Sequence, residues 1–525
     1  MKRNNKIYLR ISIFLFILYI GLLFALYLSE HTDSSASIRS FGDACWYSLV
    51  TLTTVGYGDL TPVTPLGHAV GAVFLLLSAG IMMTLFGAVI SFVTSEGLPF
   101  FLLGIHRRKN WYYFADCGIE ASTLAENICR EDPDAMIIFG EKKNDQMEFP
   151  DYPCLFISVS PSRIVAHKKN IGTRCRIFLM KENDIGVNIR AANLHNLPVE
   201  VYARTTNGRD SLSGNIRFFH SYDCCARQYW RSKPLCSSEN TIVIIGFENY
   251  GRCILERAIL TNIISVDQHV TYHIFGDARV FLAMHSHLHE TFSLNAESET
   301  MDSLIFHSDL WEQCAELLER ADRIIICTDD EPDGWNIFWR LNGYYKIRGQ
   351  IHLRSSQKAP GVSYFGANEE IYTPDQIMRT TLNKAAIAIN DLFRQSVSYP
   401  TLSWEDLDTI HRESKIAAAD HILMKIRVLL NDETITEITP AIIEAANKEY
   451  LKNKNSDSLR DMYRQLDHSR WLRFYTFYNW SYGPVRDDLA RQHPMLCSYQ
   501  DLTAEQKRER DAAWELLSCL STVKF

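Results

Sequence analysis

Two glycines alternate with bulky residues in the segment TLTTVGYGDL, which lies in a very apolar part of the chain. Gly56 and Gly58 can adopt positive φ angles without steric cost. Alternating them with Val55 and Tyr57 lets successive backbone carbonyls face one axis. Carbonyl oxygens arranged in this way replace the hydration shell of a potassium ion. The spacing therefore predicts that backbone oxygens of this segment coordinate a cation.

Two uncharged hydrophobic stretches flank this segment, from Ile11 to Leu28 and from Ala69 to Val93. Each is long enough to cross a hydrocarbon core of about 30 Å as a helix. Basic residues precede the first stretch and follow the second, which places both termini in the cytoplasm. A cleaved signal peptide is the alternative for the first stretch, but no small-residue cleavage site follows it. The sequence therefore predicts two membrane spans.

A short helix is predicted directly before the glycine segment. Ser40 can cap its N-terminus and Asp43 can complete a capping box, and the helix should end near Leu52. Its negative C-terminal end would point into the membrane, where it favours a cation. Non-helical backbone at membrane depth is tolerated only where protein buries it or where it lines a water-filled path. The segment is therefore expected to form a re-entrant loop.

The run from Thr53 to Asp59 resembles the potassium-channel signature at every position, and CWYSLVTLTTVGYGD resembles the pore of two-helix prokaryotic potassium channels. The resemblance covers residues 7–95 and implies a homotetramer in a prokaryotic inner membrane, in contact with lipid. It implies a K⁺ selectivity filter made by Thr54, Val55, Gly56, Tyr57 and Gly58, with Trp46 and Tyr47 bracing it and Asp59 at its outer mouth. Gly80 falls where the inner helix of this family often bends, and close helix packing is the alternative explanation for this glycine.

An internal repeat organises the region after the pore. Four segments of the first copy recur in order in the second: 111–128 with 241–259, 135–141 with 271–277, 177–189 with 324–337, and 199–205 with 350–356. Strands that alternate with helical segments in this way are typical of a parallel sheet with helices on both faces. The repeat predicts two α/β, Rossmann-like domains.

Neither copy keeps an intact Gly-x-Gly-x-x-Gly fingerprint for a dinucleotide. The first copy has Asp116 where the motif begins, and the second carries Glu248 between Gly246 and Gly251. An acidic side chain near the phosphate position should repel an anion. Weak nucleotide binding in the second copy, with Asp277 at the end of the next strand, and a fold kept only for assembly both remain open. The broken motifs argue against a nicotinamide-dependent oxidoreductase.

The paired copies, placed behind a two-helix pore, resemble tandem RCK domains, the regulators of potassium conductance. The resemblance covers residues 110–395, and it implies a cytoplasmic gating ring that pulls on the inner helices through the linker. A ligand that binds the open and closed ring with different affinity would shift the population between them.

Two clusters of potential ligands follow the strands of the second copy. His285, His287 and His289 alternate as they would on one face of a strand, which could hold zinc or nickel. No matching cysteine or carboxylate spacing accompanies them except Glu290, which favours a solvated or partner-facing strand instead. The acidic run 329–333 follows another strand, where divalent ions or an ordinary acidic loop are the alternatives.

The last 130 or so residues are helix-rich, beginning with an amphipathic helix predicted over 412–430. Residues 465–517 resemble the RyR domain, a small helical module named after repeats in ryanodine receptors. The matching residues include His468, Trp471, Trp480, Tyr482 and Asp487. Aromatic side chains could stack on a nucleotide base, and Arg470, Arg486 and His468 could contact its phosphates. The alternative is that these aromatic residues form the core of the module.

The sequence thus predicts a multidomain chain. Its parts are an α-helical pore domain (1–95), a linker (96–109), two α/β RCK-like domains (110–236 and 237–395) and an all-α RyR-like domain (396–525). A net charge of −8 and a pI near 6.1 give no support to nucleic-acid binding. The thirteen cysteines lack a CxxC pair, which predicts reduced thiols.

The leading hypothesis from the sequence is a potassium channel gated by a small cytoplasmic ligand, with a nucleotide or dinucleotide as candidate. A channel that conducts constitutively, with cytoplasmic domains that serve assembly, is the alternative. A scaffold that recruits partners through the RyR-like module is a third function, compatible with conduction.

Overall fold

The computed structural model describes residues 17–94, 97–141, 151–157, 159–171, 174–181, 184–195, 197–206, 211–395 and 402–520. The chain divides into two compact units, Met1–His106 and Arg107–Phe525.

The first unit is helical. Its helices are α1 (Ile17–Glu30), α2 (Phe41–Leu52), α3 (Pro65–Thr94) and α4 (Gly97–Ile105). Within the described residues, α3 alone contains a span long and apolar enough to cross a membrane, Pro65–Thr84. The shorter α1 is also apolar, and the part of the first predicted span before Ile17 lies outside the described residues.

The capping box predicted for α2 is present. Ser40 accepts a hydrogen bond from the Asp43 amide, while the Asp43 carboxylate accepts from the Ser40 amide at 2.7 Å. The helix ends at Leu52, as the sequence predicts. These bonds satisfy donors that the first helical turn would otherwise leave unpaired.

A buried carboxylate links the end of α1 to the start of α3. Glu30 is fully buried and accepts from the amides of Val63 and Thr64, each at 2.9 Å, and from the Thr64 hydroxyl at 2.6 Å. A Cβ on Gly67 would lie 1.8 Å from Glu30 Oε1, so only glycine fits at this position. The loop that follows the glycine segment is thereby held against both long helices.

The second unit contains two seven-stranded sheets. The first sheet has the order β3-β2-β1-β4-β5-β7-β6, and its strands are parallel except for the antiparallel β6–β7 pair. Its strands are β1 (Asn110–Phe114), β2 (Ala135–Phe139), β3 (Cys154–Phe156), β4 (Cys175–Leu179), β5 (Glu200–Arg204), β6 (Ser211–Ser213) and β7 (Ile216–Phe219). Its helices are α5 (Ile119–Glu131), α6 (Pro161–Ile171), α7 (Asp184–Leu194) and α8 (Ser221–Ser232).

The second sheet has the order β10-β11-β9-β8-β12-β13-β14 and is parallel throughout. Its strands are β8 (Thr241–Ile245), β9 (Thr271–Phe275), β10 (Ser293–Leu294), β11 (Ser303–His307), β12 (Arg323–Ile326), β13 (Gln350–Arg354) and β14 (Ser363–Phe365). Its α-helices are α9 (Asn249–Thr261), α10 (Arg279–Met284), α11 (Ala315–Arg320), α12 (Glu331–Tyr344), α13 (Asn368–Ile371) and α14 (Pro374–Ile377), with 3₁₀ turns at Leu288–Glu290, Trp311–Gln313 and Thr381–Asn383.

The strand repeat predicted from the sequence is confirmed, and the burial of the strands explains why the sequence shows it. The central strands are almost completely buried, as expected for parallel strands covered on both faces, which therefore read as continuous apolar runs such as TIVII and RIII. The two α/β domains are therefore Rossmann-like, as predicted.

The C-terminal region is mainly helical, with one two-residue strand pair that the sequence does not predict. Its helices are α15 (Lys384–Gln395), α16 (Thr409–Asp420), α17 (Ile422–Leu430), α18 (Pro440–Asn453), α19 (Asp457–Phe477), α20 (Ala504–Glu509), α21 (Ala512–Glu515) and α22 (Leu517–Leu520), with a 3₁₀ turn at Tyr499–Asp501. The strands are β15 (Ser481–Tyr482) and β16 (Gln492–His493).

The single helix predicted over 412–430 is wrong in one respect, because α16 and α17 are separate helices. They meet at His421, which is completely buried and whose Nε2 lies 2.8 Å from the carbonyl of Ile263. Ala417, Met424 and Phe474 belong to the same hydrophobic core as both sheets. The C-terminal helices are therefore built into the core of the second unit.

Candidate functional sites

The glycine segment has the alternating backbone that the sequence predicts. Gly56 and Gly58 have φ angles of +58° and +72°, and Thr54 has +58°, so every second residue is left-handed. Thr54 is not predicted from the sequence, because a β-branched residue rarely adopts a positive φ. This alternation reverses the backbone at each step and lets successive carbonyls share one side.

The start of the segment is anchored on the C-terminal end of α2. The amides of Val55 and Gly56 both donate to the carbonyl of Val50, at 3.1 and 3.3 Å, and the Thr54 amide donates to Thr51 at 3.1 Å. Carbonyls at a helix C-terminus lack intrahelical partners. The loop amides satisfy them, and this fixes where the segment leaves the helix.

Of the two aromatic residues predicted to brace the segment, Trp46 contacts it and Tyr47 contacts α3. The Trp46 indole is parallel to the Tyr57 ring, with centroids 6.3 Å apart and planes inclined by 4°. Trp46 Nε1 donates to the Asp59 carboxylate at 2.8 Å. A Cβ on Gly71 would lie 2.9 Å from the Tyr47 hydroxyl, so Tyr47 packs directly on α3. Asp59, which is predicted to lie at the outer mouth of the filter, therefore also binds the Trp46 side chain.

Gly80 lies in the uninterrupted helix α3. A Cβ added there would meet no heavy atom of the described chain within 4 Å. Packing inside this protomer therefore does not account for the glycine.

The glycines of the degenerate second fingerprint are explained by close packing. Gly246 has a φ of +91°, and a Cβ there would lie 2.9 Å from the Thr328 amide nitrogen. A Cβ on Gly251 would lie 1.9 Å from the Gly246 carbonyl oxygen. The turn between β8 and α9 therefore needs both glycines whether or not a ligand binds.

A carboxylate of the protein lies at the N-terminus of α9, where Rossmann folds bind pyrophosphate. Asp329 accepts from the Tyr250 amide at 3.2 Å and from the Asn249 side-chain amide at 2.6 Å. Its own amide donates to Glu248 at 3.2 Å. Asp329, Asn249 and Glu248 line an open cleft of about 450 Å³ together with Asp277. The sequence suggested an acidic loop here but not that Asp329 would reach the neighbouring helix.

The first copy also has a carboxylate at its degenerate motif, but this carboxylate bonds a neighbouring strand end. Asp116 is buried and its carboxylate accepts from the amides of Met180 and Lys181, at 3.1 and 3.2 Å. Burial raises the pKa of Asp116 despite these hydrogen bonds. The residue at the start of the broken motif therefore joins the ends of β1 and β4.

The strand alternation predicted for the three histidines is wrong. His285 follows α10, and His287 and His289 lie at the 3₁₀ turn Leu288–Glu290. His285 is buried, stacks on Phe477 at 3.9 Å and bonds the Phe477 carbonyl at 2.7 Å. In the described parts of the chain, no group of three or more metal-binding side chains is found. His285 therefore packs against the C-terminal module of its own chain.

The residues predicted for the RyR-like site divide into buried and exposed groups. His468, Arg470 and Trp480 are buried. His468 Nε2 bonds the Cys497 carbonyl at 2.8 Å, and burial lowers the pKa of His468 to about 4. Arg470 lies 3.5 Å from the buried Asp467 carboxylate. These three residues build the module, as the alternative interpretation expected.

The remaining predicted residues lie nearer the surface. Trp471 is half-buried, and Tyr482 is 58% exposed. Arg486 pairs with Asp488 at 2.8 Å, while the Asp487 carboxylate accepts from two amides of its own turn. Asp487 is therefore a turn residue.

Two residues around Trp471 were missed by sequence reasoning. The Arg510 guanidinium lies 4.7 Å from the Trp471 ring centroid, and the His493 ring lies 5.0 Å from it. Both are distant in sequence from Trp471, so spacing gave no signal. Both side chains pack against the Trp471 ring within the module.

Buried ion pairs connect the C-terminal helices to the α/β domains. Arg257 bonds both carboxylate oxygens of Asp223 at 2.6 Å and Glu413 at 3.0 Å, which joins α9, α8 and α16. Arg473 on α19 pairs with the buried Asp302 at 2.8 Å. Truncating one partner of such a pair leaves an uncompensated buried charge. These pairs therefore hold the C-terminal helices against both α/β domains.

Two family models match parts of the chain. One describes an ion channel and matches residues 12–95, and the other describes the RyR domain and matches residues 440–525. The resemblances read from the sequence are thereby confirmed for the pore and for the C-terminal module.

Potassium channels among the curated relatives match short parts of the chain. A voltage-gated potassium channel of Aeropyrum pernix is 44% identical over 66 residues, which are 13% of this chain and 22% of that protein. The two-pore potassium channel 5 of Arabidopsis thaliana is 32% identical over 108 residues, 20% of this chain and 26% of that protein. The chain thus spans about a quarter or less of the length of these relatives.

Solved structures of the GsuK channel are similar over a larger part of the chain. A GsuK mutant has 14% identity and a TM-score of 0.38, covering 71% of this chain and 99% of that one. GsuK bound to ADP has 14% identity and a TM-score of 0.37, covering 69% and 96%.

Proposed function

We propose that this chain forms a potassium-selective channel as a homotetramer in a prokaryotic membrane. The observation that carries the proposal is the alternation of positive φ angles at Thr54, Gly56 and Gly58, within the segment that matches the ion-channel family. Four such segments around one axis would present rings of carbonyl oxygens to a dehydrated K⁺ ion. The C-terminal end of α2 carries partial negative charge and adds to the attraction.

The two α/β domains would act as tandem RCK domains that gate the pore in response to a ligand. Both termini would then lie in the cytoplasm, with residues 96–109 linking the pore to the ring. In this proposal a ligand acts by binding one state of the ring more tightly than the other, which shifts the population.

The RyR-like module is our candidate for the sensor. Its support is the direct contact of the module with the second α/β domain, through Arg473 and Asp302 and through Phe477 and His285. The exposed aromatic Tyr482, the half-buried Trp471 and the nearby Arg486 suit a nucleotide, because bases stack on aromatic rings and arginine matches phosphate geometry. The loop around Gly246 is the weaker candidate, because Asp329 already occupies its helix N-terminus.

The test is potassium flux from proteoliposomes of the purified full-length protein, with nucleotides, dinucleotides, cyclic nucleotides and divalent ions added in turn. Removing the C-terminal region would be a poor test, because that region shares the core of the sheets. The variant Tyr482→Ala, at an exposed position, should instead abolish the response to a nucleotide and preserve basal flux. Lys448→Glu, exposed on α18, serves as a control.

The outcomes separate the proposals. A flux that favours potassium over sodium supports the channel, and its absence contradicts it. Selective flux that no ligand alters favours constitutive conduction, with cytoplasmic domains that serve assembly or recruit partners.

A further inference from the structure

A large cleft lies at the edge of the second sheet opposite to the degenerate nucleotide loop. It has a volume of about 780 Å³ and is bordered by the first residues of β12 and β13. Two further segments close it: the chain between α8 and β8, and α17 with the loop that follows it. The cleft is therefore a junction of three parts of the second unit, and its size is that of a small-molecule site.

Basic side chains outnumber acidic ones on the walls of this cleft. The basic residues are Lys233, Arg320, Arg323, Arg348 and Arg427. Each acidic residue already has partners: Glu239 bonds Arg323 at 2.6 Å, Asp322 accepts from the amides of residues 240 and 241, and Glu433 accepts from the amide of residue 237. Five basic and three acidic residues leave the walls with an excess of positive charge, although Arg320 also pairs with Glu297 outside the cleft, at 2.9 Å.

Arg427 is the most unusual of these cations. It is only 3% exposed, and it donates to the carbonyls of Leu235 (at 2.7 Å) and Glu433. Its Nε is buried without a hydrogen-bond partner, and within the described residues no carboxylate pairs with its guanidinium. Asp432 interacts with Arg427 electrostatically without forming a direct ion pair. A buried, fully charged guanidinium without a directly bonded counter-ion is costly. An anion in the cleft would reduce this cost.

Lys233 and Arg348 supply two further cations from the other segments. The Lys233 ammonium donates to the Ser363 hydroxyl at 2.8 Å, and burial together with Arg323 lowers the pKa of Lys233. Arg348 is exposed, and in the part of the chain that the structure describes it has no hydrogen-bond or ion-pair partner. Among the described residues, each of the three bordering segments thus contributes one cation that forms no direct ion pair with a carboxylate.

We propose that this cleft binds a small anion that carries phosphate groups, held by Lys233, Arg348 and Arg427. Phosphate fits because its oxygens accept charge-assisted hydrogen bonds from the planar guanidinium and from the ammonium at once. The bound anion would hold together the segment between the two α/β domains, the second sheet and α17. The site is separate from the RyR-like site and from the loop around Gly246, and its existence does not depend on conduction by the pore.

The proposal is tested by isothermal titration of full-length protein in detergent at pH 7 and low salt, with pyrophosphate and ADP as the two probes. We expect at least one to bind, and Arg348→Glu to weaken its affinity about tenfold or more, because hydrogen bonds to charged groups are among the strongest in proteins. Lys233→Gln should weaken it in the same direction. Lys448→Glu makes the same charge change outside the cleft and should leave the affinity unchanged.

The two probes separate the sources of the anion. Tighter binding of pyrophosphate indicates an inorganic or simple phosphorylated anion, whereas tighter binding of ADP indicates a nucleotide. Arg348 is exposed, so Arg348→Glu should unfold at the same temperature as the wild type, which removes misfolding as an explanation. Binding of neither probe, or binding that both cleft variants leave unchanged, would overturn the proposal.

Discussion

Trp46 Nε1 donates a hydrogen bond to the carboxylate of Asp59 at 2.8 Å and so ties the helix before the filter segment to the residue that follows it. Trp46→Phe keeps a ring against Tyr57 but removes the donor. A hydrogen bond to a charged group contributes about 1.5–3 kcal/mol, so the variant should hold the filter less firmly. We expect lower selectivity for potassium over sodium in proteoliposome flux. Trp339→Phe, at a position 60% exposed, should behave as the wild type.

The left-handed residues of the filter segment lead to a second prediction. Gly56→Ala or Gly58→Ala places a Cβ on backbone with a positive φ, at a cost of about 1–2 kcal/mol per residue. The alternation should then be lost, and potassium selectivity with it. Gly21→Ala in α1 meets no neighbour within 4 Å and should conduct normally. Unchanged selectivity in both filter variants would contradict the filter assignment.

The sequence predicts those parts of the molecule in which neighbours along the chain determine the structure. The capping box of Ser40 and Asp43, the end of α2 at Leu52 and the strand repeat all depend on residues close in sequence or on an apolar run. The positive φ of Thr54 could not be predicted, because residue type argues against it. It is fixed by the surrounding hydrogen bonds rather than by propensity.

Asp329 provides a third prediction. Its carboxylate bonds the N-terminal turn of α9, where negative charge interacts favourably with the helix dipole by about 0.3–2 kcal/mol. Asp329→Ala should lower the unfolding temperature. It should also make the loop around Gly246 less repulsive to a nucleotide, measurable as a gain in ADP affinity by titration. Asp330→Ala, an exposed neighbour whose side chain makes no capping bond, is the control for both readouts.

Buried histidines predict how stability depends on pH. Burial lowers the pKa of His421 and His352 to about 3, well below the usual value of about 6.5. Both stay neutral in the folded protein, while the unfolded chain binds protons below about pH 6.5. Stability is therefore full above that pH and falls as the pH drops from about 6.5 towards 3, by up to about 1.4 kcal/mol per pH unit for each histidine.

The measurement is thermal unfolding of the full-length protein at pH 7.5 and pH 5.5. His421→Gln keeps a donor for the Ile263 carbonyl but does not titrate, so the difference in unfolding temperature between the two pH values should shrink. His411→Gln is the control, because His411 is half exposed and pairs with Asp408 on the surface. An equal pH dependence in His421→Gln and wild type would contradict the assignment to buried histidine.

Contacts between residues far apart in the chain explain where the sequence prediction failed. The aromatic residues of the RyR-like module were expected to share one surface, but Trp480 is buried while Tyr482 is exposed. Arg510 and His493 complete the surroundings of Trp471 from other elements. The three histidines have strand spacing, yet His285 turns towards Phe477 on α19. The spacing of residues in the sequence predicts which face of one helix or strand they share, but it does not predict which other element packs against that face.

The contact between the RyR-like module and the second α/β domain carries the last prediction. Asn479 has a φ of +59°, and its side-chain amide donates to the Met284 carbonyl at 2.7 Å. Its Oδ1 also accepts a longer bond from the Ser286 hydroxyl, at 3.4 Å. Asn479→Gly tolerates this φ and loses these side-chain hydrogen bonds, whereas Asn479→Ala loses them and also strains the backbone. Unfolding free energy should therefore fall by about 0.5–1.5 kcal/mol in the glycine variant and by more in the alanine variant. In denaturant titrations, equal losses would show that the backbone conformation contributes nothing, and no loss would show that the contact does not hold the module on the domain.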